Sequence, residues 1–225
     1  MDNFPDNMKR LSTTLLMIFS FCLSSVSYSQ NIPSDSLIAF DIQPMKLNMV
    51  KTNPLALIWS QIPFTSEARF MYERVGGLHE STMVGLSYVF PSPYFKLFWD
   101  SLETDLGYQI STLGYRVQAG QKFYLLNKQR APNGFFIMPH ASYNNLRITL
   151  KDLKGYYAHF IFFNVSLLAG YQLVLFDLLT IEAYTGAGWR DNYVLYGDPN
   201  TVKVDLDEIV RGFKFTFAMQ CGITF

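Results

Sequence analysis

The C-terminal segment of the chain, residues 213–225, alternates strictly between apolar and other side chains. Every second residue is apolar, and the residues between them include no large apolar side chain. The apolar set is Phe213, Phe215, Phe217, Met219, Cys221, Ile223 and Phe225. Because successive side chains of a β-strand point to opposite faces, this period predicts a strand with one apolar face and one mixed face.

A second segment, residues 155–176, contains no Asp, Glu, Lys or Arg, which by hydropathy alone is typical of a membrane helix. Its internal order predicts a strand instead. Val165 and Leu167 occupy odd positions, whereas Asn164 and Ser166 occupy even ones. A helix would spread these polar groups around its circumference and expose them unpaired to hydrocarbon, so we expect a strand with a period of two.

The same period along the rest of the chain predicts eight strands. They lie near residues 46–59, 64–75, 81–90, 111–126, 134–149, 157–176, 179–193 and 210–225. The second, fourth and sixth connections are short, and both long connections are odd-numbered, as in outer-membrane barrels. We therefore predict an all-β fold, a single eight-stranded antiparallel up-and-down transmembrane β-barrel over residues 45–225. A soluble lipocalin-like barrel would need apolar faces inside and polar faces outside.

The composition fits a chain embedded in lipid. Aromatic residues make up 16% of the chain and charged residues also 16%, and the 18 basic and 18 acidic residues balance. The high aromatic content argues against a disordered chain, and the zero net charge argues against a basic nucleic-acid-binding module. Rings near predicted strand ends could form two aromatic girdles at the membrane interfaces. These rings are Tyr72, Tyr88, Tyr115, Phe135, Tyr143, Tyr171, Tyr184 and Trp189.

The N-terminal segment has the organisation of an export signal. Basic residues at 9–10 precede an apolar stretch at 15–23, and 27–29 ends in small residues suited to cleavage before Gln30. We predict a cleaved signal peptide at 1–29, with Met1 or Met8 as the start, and a periplasmic tail at 30–44. The apolar stretch is too short for a transmembrane anchor, and a bulky Phe precedes Cys22, which disfavours a lipoprotein.

Four short motifs carry a family resemblance. They are Val50-Lys51-Thr52-Asn53-Pro54-Leu55, Tyr72-Glu73-Arg74, Lys122-Phe123-Tyr124-Leu125 and Arg130-Ala131-Pro132-Asn133-Gly134-Phe135-Phe136-Ile137-Met138-Pro139. On these motifs the chain resembles a family of small Bacteroidota outer-membrane β-barrels of unassigned function, within the porin-like and OmpA-like barrels. The resemblance implies an eight-stranded barrel in the bacterial outer membrane. Members often carry a carboxylate where this chain has His140, so no role is transferred to that position.

The strand parity predicts a charged lumen. The inward set is Glu67, Arg69, Glu73, Arg116, Lys122, Glu182, Arg190 and Lys214. Inward placement avoids the cost of about 2–4 kcal/mol for Arg or Lys at the lipid midplane. Eight strands leave room for side chains, so we expect a packed polar network that closes the barrel. A narrow channel for small solutes is the alternative.

One cluster suggests a lipid-acting enzyme as a second alternative. His140, Ser142 and Asn144 lie on one face of the fifth predicted strand, within reach of one another for general-base activation of a hydroxyl. The cluster faintly resembles the His-x-Ser element of outer-membrane lipid A deacylases. The parity places it in the lumen, however, whereas those enzymes place the nucleophile where it meets lipid. We therefore expect no catalytic residues.

Two further segments suggest contacts with other molecules. The third connection carries the rings Tyr94, Phe95, Phe98 and Trp99, which could dock a partner protein, a glycan or a lipid headgroup, or could simply extend the sheet. The C-terminal residues resemble the signal by which the outer-membrane assembly machinery recognises its substrates. That predicted insertion signal is Phe217, Met219, Cys221, Ile223 and Phe225.

Metal and cofactor chemistry has little support in the sequence. His79, His140 and His159 are dispersed, no zinc-type spacing occurs, and Gly186-Ala187-Gly188 is expected to make room for a cross-strand ring. We predict no metal, no cofactor and no nucleic-acid partner. The expected function is that of a structural or interaction protein that acts through extracellular loops, with an accessory subunit of a larger complex as one form of this role. Its expected partners are outer-membrane lipid and lipopolysaccharide, the assembly machinery during insertion, and an unknown protein.

Overall fold

The computed structural model describes residues 47–58, 60, 64–107, 109–126, 131–150, 157–197 and 212–225. The predicted signal peptide at 1–29 and the predicted tail at 30–44 lie outside the described residues. So do residues 151–156 and 198–211, which contain the fifth connection and most of the seventh.

Eight antiparallel strands form a closed barrel, each strand pairing with its neighbours in sequence and the last pairing with the first. The strands are β1 (Asn48–Thr52), β2 (Thr65–Gly77), β3 (Glu80–Pro91), β4 (Ile110–Tyr124), β5 (Gly134–Leu150), β6 (Tyr157–Leu175), β7 (Leu179–Gly197) and β8 (Gly212–Thr224). This confirms the predicted all-β, eight-stranded, up-and-down antiparallel barrel. We call the end with the β2–β3, β4–β5 and β6–β7 connections the turn end, and the opposite end the loop end.

The first strand is much shorter than predicted. Instead of reaching residue 59, β1 stops at Thr52 and a 3₁₀ turn follows at Pro54–Leu57. Pro54 has no N–H for a strand ladder, and the Asn53 side chain accepts a hydrogen bond from the Ala56 N–H at 3.2 Å. These two residues therefore end the strand and cap the turn, and the prediction of strand over 53–58 is wrong.

The third connection is helical. A 3₁₀ turn at Pro93–Phe95 leads into helix α1 (Lys96–Leu106), so the alternative of a sheet extension through these rings is wrong. The helix ends where Gly107 adopts a left-handed conformation with φ of +69°, and its N–H donates to the Glu103 carbonyl at 2.9 Å. No helix in the described part of the chain has the length and apolar character needed to cross a membrane.

The two faces of the barrel wall differ in chemistry. Large apolar side chains stand on the outer surface of every strand from β2 to β8 and are exposed. They include Phe70, Tyr72, Val84, Leu86, Tyr88, Leu113, Tyr115, Val117, Phe123, Phe135, Val165, Leu167, Ile181, Trp189, Phe213, Phe215 and Phe217. Charged outward residues of the described strands lie toward the strand ends, at Arg74, Glu80, Arg147 and Asp191.

The inner face carries most of the polar residues. The buried inward set includes Lys51, Glu67, Arg69, Glu73, Arg116, Gln118, Lys122, Gln172, Glu182 and Gln220. Tyr184 also points inward and is buried, and its hydroxyl accepts a hydrogen bond from the Gln220 side chain at 2.9 Å. Its prediction as a girdle residue is wrong because it shares the parity of Glu182 in β7.

Glycines on the inner face make room for large neighbours on adjacent strands. A Cβ at Gly186 would overlap the Leu167 carbonyl oxygen and come within 2.9 Å of the Leu168 side chain. The side chain beside Gly186 is therefore the aliphatic Leu168 and not the predicted cross-strand ring. At Gly170 a Cβ would lie 2.7 Å from the Phe136 ring. Small residues on one strand thereby let larger side chains fill the interior.

Candidate functional site

The turn-end half of the interior contains a balanced set of four charges, which we call the four-charge cluster: Lys51, Glu73, Lys122 and Glu182. The Lys51 ammonium bonds with the carboxylates of Glu73 and Glu182, the latter at 2.5 Å. Lys122 bonds with the same two carboxylate oxygens at 2.7 Å each. All four side chains are fully buried. Two cations and two anions leave the cluster with no net charge.

Neutral groups add hydrogen bonds to both ammonium groups and to Glu73, whereas the second Glu182 oxygen has no partner among the described residues. The Gln172 side-chain oxygen accepts from Lys51 at 2.8 Å and from Lys122 at 2.7 Å, so each ammonium donates three hydrogen bonds. The other Glu73 oxygen accepts from the Tyr124 hydroxyl at 3.2 Å. A buried ion pair is tolerated only when its remaining donors and acceptors are satisfied, and the lysines meet this condition.

A layer of apolar side chains adjoins the four-charge cluster. Its members are buried and come from several strands: Met71, Met83, Met138, Leu168 and Ala218, together with the Tyr184 ring. Unbranched methionines adapt to irregular gaps, which suits the narrow interior of an eight-stranded barrel. At this depth the interior is therefore occupied by packed side chains.

Nearer the loop end the balance of charge changes. Arg69 makes a two-point contact with Glu67, at 3.1 and 2.9 Å, and Arg116 reaches the same carboxylate at 3.4 Å. Arg190 and Lys214 also belong to this region, which we call the basic chamber together with Glu67, Arg69 and Arg116. Glu67 is the one carboxylate that the described residues contribute to the chamber. Arginine side chains therefore outnumber carboxylates in the chamber even before Lys214 is considered.

The inward charged residues predicted from sequence thus occupy two separate places. Glu73, Lys122 and Glu182 meet in the four-charge cluster, and the other five lie in the basic chamber. The predicted inward set did not include Lys51. Lys51 shares the inward parity of the buried Met49 in β1, so the period of two could have identified it. The separation into two groups was also missed, because it depends on how the strands are staggered around the closed barrel.

The His140, Ser142 and Asn144 side chains all point into the interior and are buried. The Ser142 hydroxyl accepts hydrogen bonds from Arg116 and Asn164, both at 3.1 Å. The His140 ring bonds with the Gln118 side chain at 3.3 Å. In the described structure, Ser142 is therefore hydrogen-bonded to an arginine and an amide, and the His140–Ser142 bond that would activate the hydroxyl is not formed.

The rings of the third connection pack partly on one another. Phe64, from the β1–β2 connection, stacks on Phe98 with ring centroids 4.0 Å apart and meets Phe95 edge-on at 5.4 Å. The Trp99 indole N–H donates to the Phe64 carbonyl at 3.0 Å. Three of the four predicted interaction residues therefore hold α1 against the β1–β2 connection. Tyr94 projects outward, with 67% of its surface exposed.

The residues of the predicted insertion signal lie along the outer face of β8 and at its end. All five are exposed, and Cys221 is a free cysteine. Phe225 exchanges two backbone hydrogen bonds with Asn48, at 2.9 and 3.2 Å, which ties the chain end to β1. Their recognition by assembly machinery stays a prediction.

Comparison of the chain with known protein families, with curated protein sequences and with solved structures finds no significant match. The resemblance to a Bacteroidota barrel family therefore stays a prediction from the motifs. Within the described residues, no three His, Cys, Asp or Glu side chains come together in a way that could hold a metal ion.

The four-charge cluster should show strong energetic coupling between its members. We expect Lys51→Met to lower the free energy of unfolding by about 3–5 kcal/mol, because it leaves two buried carboxylates with one ammonium. Adding Glu182→Gln restores charge balance, so the double variant should lose less than the sum of the two single losses. Urea unfolding of the detergent-folded barrel would measure these values.

Arg74→Gln, on the exposed outer surface near the turn end, is the matched control and should change the free energy of unfolding by less than about 0.5 kcal/mol. Strictly additive losses in the double variant would show that Lys51 and Glu182 do not interact in solution.

Proposed function

We propose that the chain is a bacterial outer-membrane β-barrel with a side-chain-filled interior, acting as a structural or interaction protein through the connections at its loop end. The observation that carries this proposal is the inverted distribution of polarity in the wall. Buried charges face the interior, while outward side chains along the middle of the strands are predominantly apolar. A soluble barrel has the opposite arrangement, because water covers its outer face.

The size of the apolar outer surface supports a lipid environment. Leu86 and Phe215 have 60% and 77% of their surface exposed, and similar residues surround the barrel. Apolar patches on soluble monomers rarely exceed a few hundred Å², whereas this surface continues from strand to strand. Rings near both ends, such as the edge-on pair Phe135 and Tyr171 and the pair Tyr115 and Tyr143, fit aromatic girdles at two interfaces.

The filled interior supports a structural role over solute transport. The four-charge cluster and the apolar layer occupy the interior with buried side chains from most strands. Eight-stranded barrels have room for side chains in the lumen but not for a continuous aqueous bore as well. We therefore place the activity in the connections, where Tyr94 of the 3₁₀ turn and the 84% exposed Leu97 of α1 face outward.

Substitution on the outer face distinguishes a lipid environment from water. We expect Leu86→Arg to reduce the free energy of unfolding by about 2–4 kcal/mol in lipid vesicles, because it moves a guanidinium to the mid-strand lipid face. Tyr94→Arg, outside the barrel wall, is the control and should have little effect. Equal stability of both variants, or release of the wild-type chain from cell membranes by carbonate, would contradict the membrane proposal.

The filled interior also makes a prediction about conductance. We expect the purified barrel to give no stable, discrete conductance steps in planar lipid bilayers, because buried side chains block the interior. Insertion would be checked by the heat-dependent shift of the same preparation on gels, and a general porin would serve as the positive control. Reproducible unitary steps from inserted protein would favour the narrow-channel alternative.

The interaction role can be tested at the exposed residues of the third connection, in the 3₁₀ turn and at the start of α1. The double variant Tyr94→Ser, Leu97→Ser removes two exposed apolar side chains that form none of the contacts to Phe64. We expect a protein that co-purifies with the wild-type barrel in mild detergent to be lost from this variant and kept by Lys96→Ser. An empty, monomeric wild-type preparation would count against the interaction role.

A further inference from the structure

The barrel wall has a gap in its strand pairing between β1 and β8. Pairing of the two strands runs from Met49 with Thr224 to Thr52 with Cys221 and stops there, because β1 ends. Residues 212–220 of β8 remain paired with β7 on their other edge. Among the described residues no strand continues β1 beside them, and the 3₁₀ turn Pro54–Leu57 follows at this point. We call this place the seam.

A cavity of about 630 Å³ lies at the seam. This volume is within the range of roughly 300–1,000 Å³ that is typical of small-molecule sites. Its inner lining includes Arg69, Arg190 and Lys214 from the basic chamber. Its outer lining includes Ile58 and Phe217. The cavity thus extends from a cationic interior to the apolar outer surface of the barrel.

The cationic end of the cavity has a surplus of hydrogen-bond donors. Glu67 already accepts from both Arg69 and Arg116. Arg116 does not itself line the cavity but shares Glu67 with the lining residue Arg69, and its buried Nε has no acceptor among the described residues. Arg190 donates from Nε to Asn164 at 3.0 Å, and its guanidinium carries four further N–H donors on the two outer nitrogens. Guanidinium forks match the geometry of phosphate and carboxylate groups, so an anion suits this end.

The apolar end of the cavity suits a hydrocarbon chain. Phe213, Phe215 and Phe217 line the cavity from alternate positions of β8 and belong to the apolar outer face. Leu55 and Ile58 line it from the β1–β2 connection and are also exposed. An alkyl chain lying between these two groups would bury apolar area while its anionic head stayed with the arginines.

We propose that the seam binds one anionic amphiphile, with its phosphate or carboxylate group held by Arg69, Arg190 and Lys214 and its alkyl chain along Phe217 and Ile58. The head group comes from a membrane phospholipid, from lipid A or from a free fatty acid, which share this chemistry. The inference goes beyond the proposed function, and it is tested on detergent-folded protein whatever the native membrane.

The test is a titration of the wild-type chain, folded in dodecyl maltoside, with dodecyl phosphate, followed by native mass spectrometry. We expect one saturable dodecyl phosphate per chain. Inorganic phosphate, which lacks the alkyl chain, should bind at least 100-fold more weakly. Dodecanoate and short-chain phosphatidic acid, used as competitors, distinguish a fatty-acid carboxylate from a lipid phosphate. Unsaturable binding, or inorganic phosphate binding as tightly as dodecyl phosphate, would overturn the proposal.

Variants test which residues form the site. Arg190→Gln with Lys214→Gln should weaken dodecyl phosphate binding at least tenfold, whereas Arg74→Gln on the outer surface should not change it. Phe217→Ser should weaken dodecyl phosphate binding without changing the response to inorganic phosphate. The gel shift on heating confirms that each variant is folded. Unchanged affinity for dodecyl phosphate in the folded double variant would show that the amphiphile binds elsewhere. If the double variant fails to fold, the comparison of dodecyl phosphate with inorganic phosphate on the wild-type chain tests the proposal.

Discussion

The contacts of Lys51 and Lys122 with Glu73 and Glu182 connect β1, β2, β4 and β7 through the middle of the barrel. Burying four charges is costly, and the cost is offset only if every partner is present. The cluster therefore stabilises one register of the closed sheet. In that register Lys51 of the first strand contacts partners more than a hundred residues away in the sequence. β1 has few residues for backbone pairing, and its lysine supplies side-chain contacts that help to define its position.

The interior is divided by charge along the barrel axis. The four-charge cluster is neutral, and the adjoining methionines and Leu168 are apolar, whereas the basic chamber has more cations than carboxylates among the described residues. A neutral cluster whose two ammonium groups each donate three hydrogen bonds contributes to structure and offers little to an anionic ligand. An excess of arginine donors at the edge of a cavity favours an external anion. The two regions therefore have different roles although both are built from inward charged residues.

The seam follows from a local property of the chain. Asn53 and Pro54 end β1 early, and this leaves β8 longer than the strand beside it. Among the described residues, the stretch 212–220 of β8 pairs with β7 on one edge and with no strand on the other, so the strand pairing of the wall is interrupted there. At the loop end the Phe64 ring and the Trp99 indole hold α1 against the same β1–β2 connection. The β1–β2 connection thus lines the cavity and also packs against α1.

The sequence by itself determined the strands and the face that each residue occupies, because side-chain direction in a strand depends only on position parity. Seven strands and the inward direction of Glu67 and Lys122 could be predicted in this way. The tertiary structure alone decided the short β1, the partners of Lys51 and the separation of the neutral four-charge cluster from the basic chamber. These features depend on capping at Asn53 and on the stagger of the strands around a closed barrel. Parity specifies the direction of a side chain, but closure determines which side chains meet.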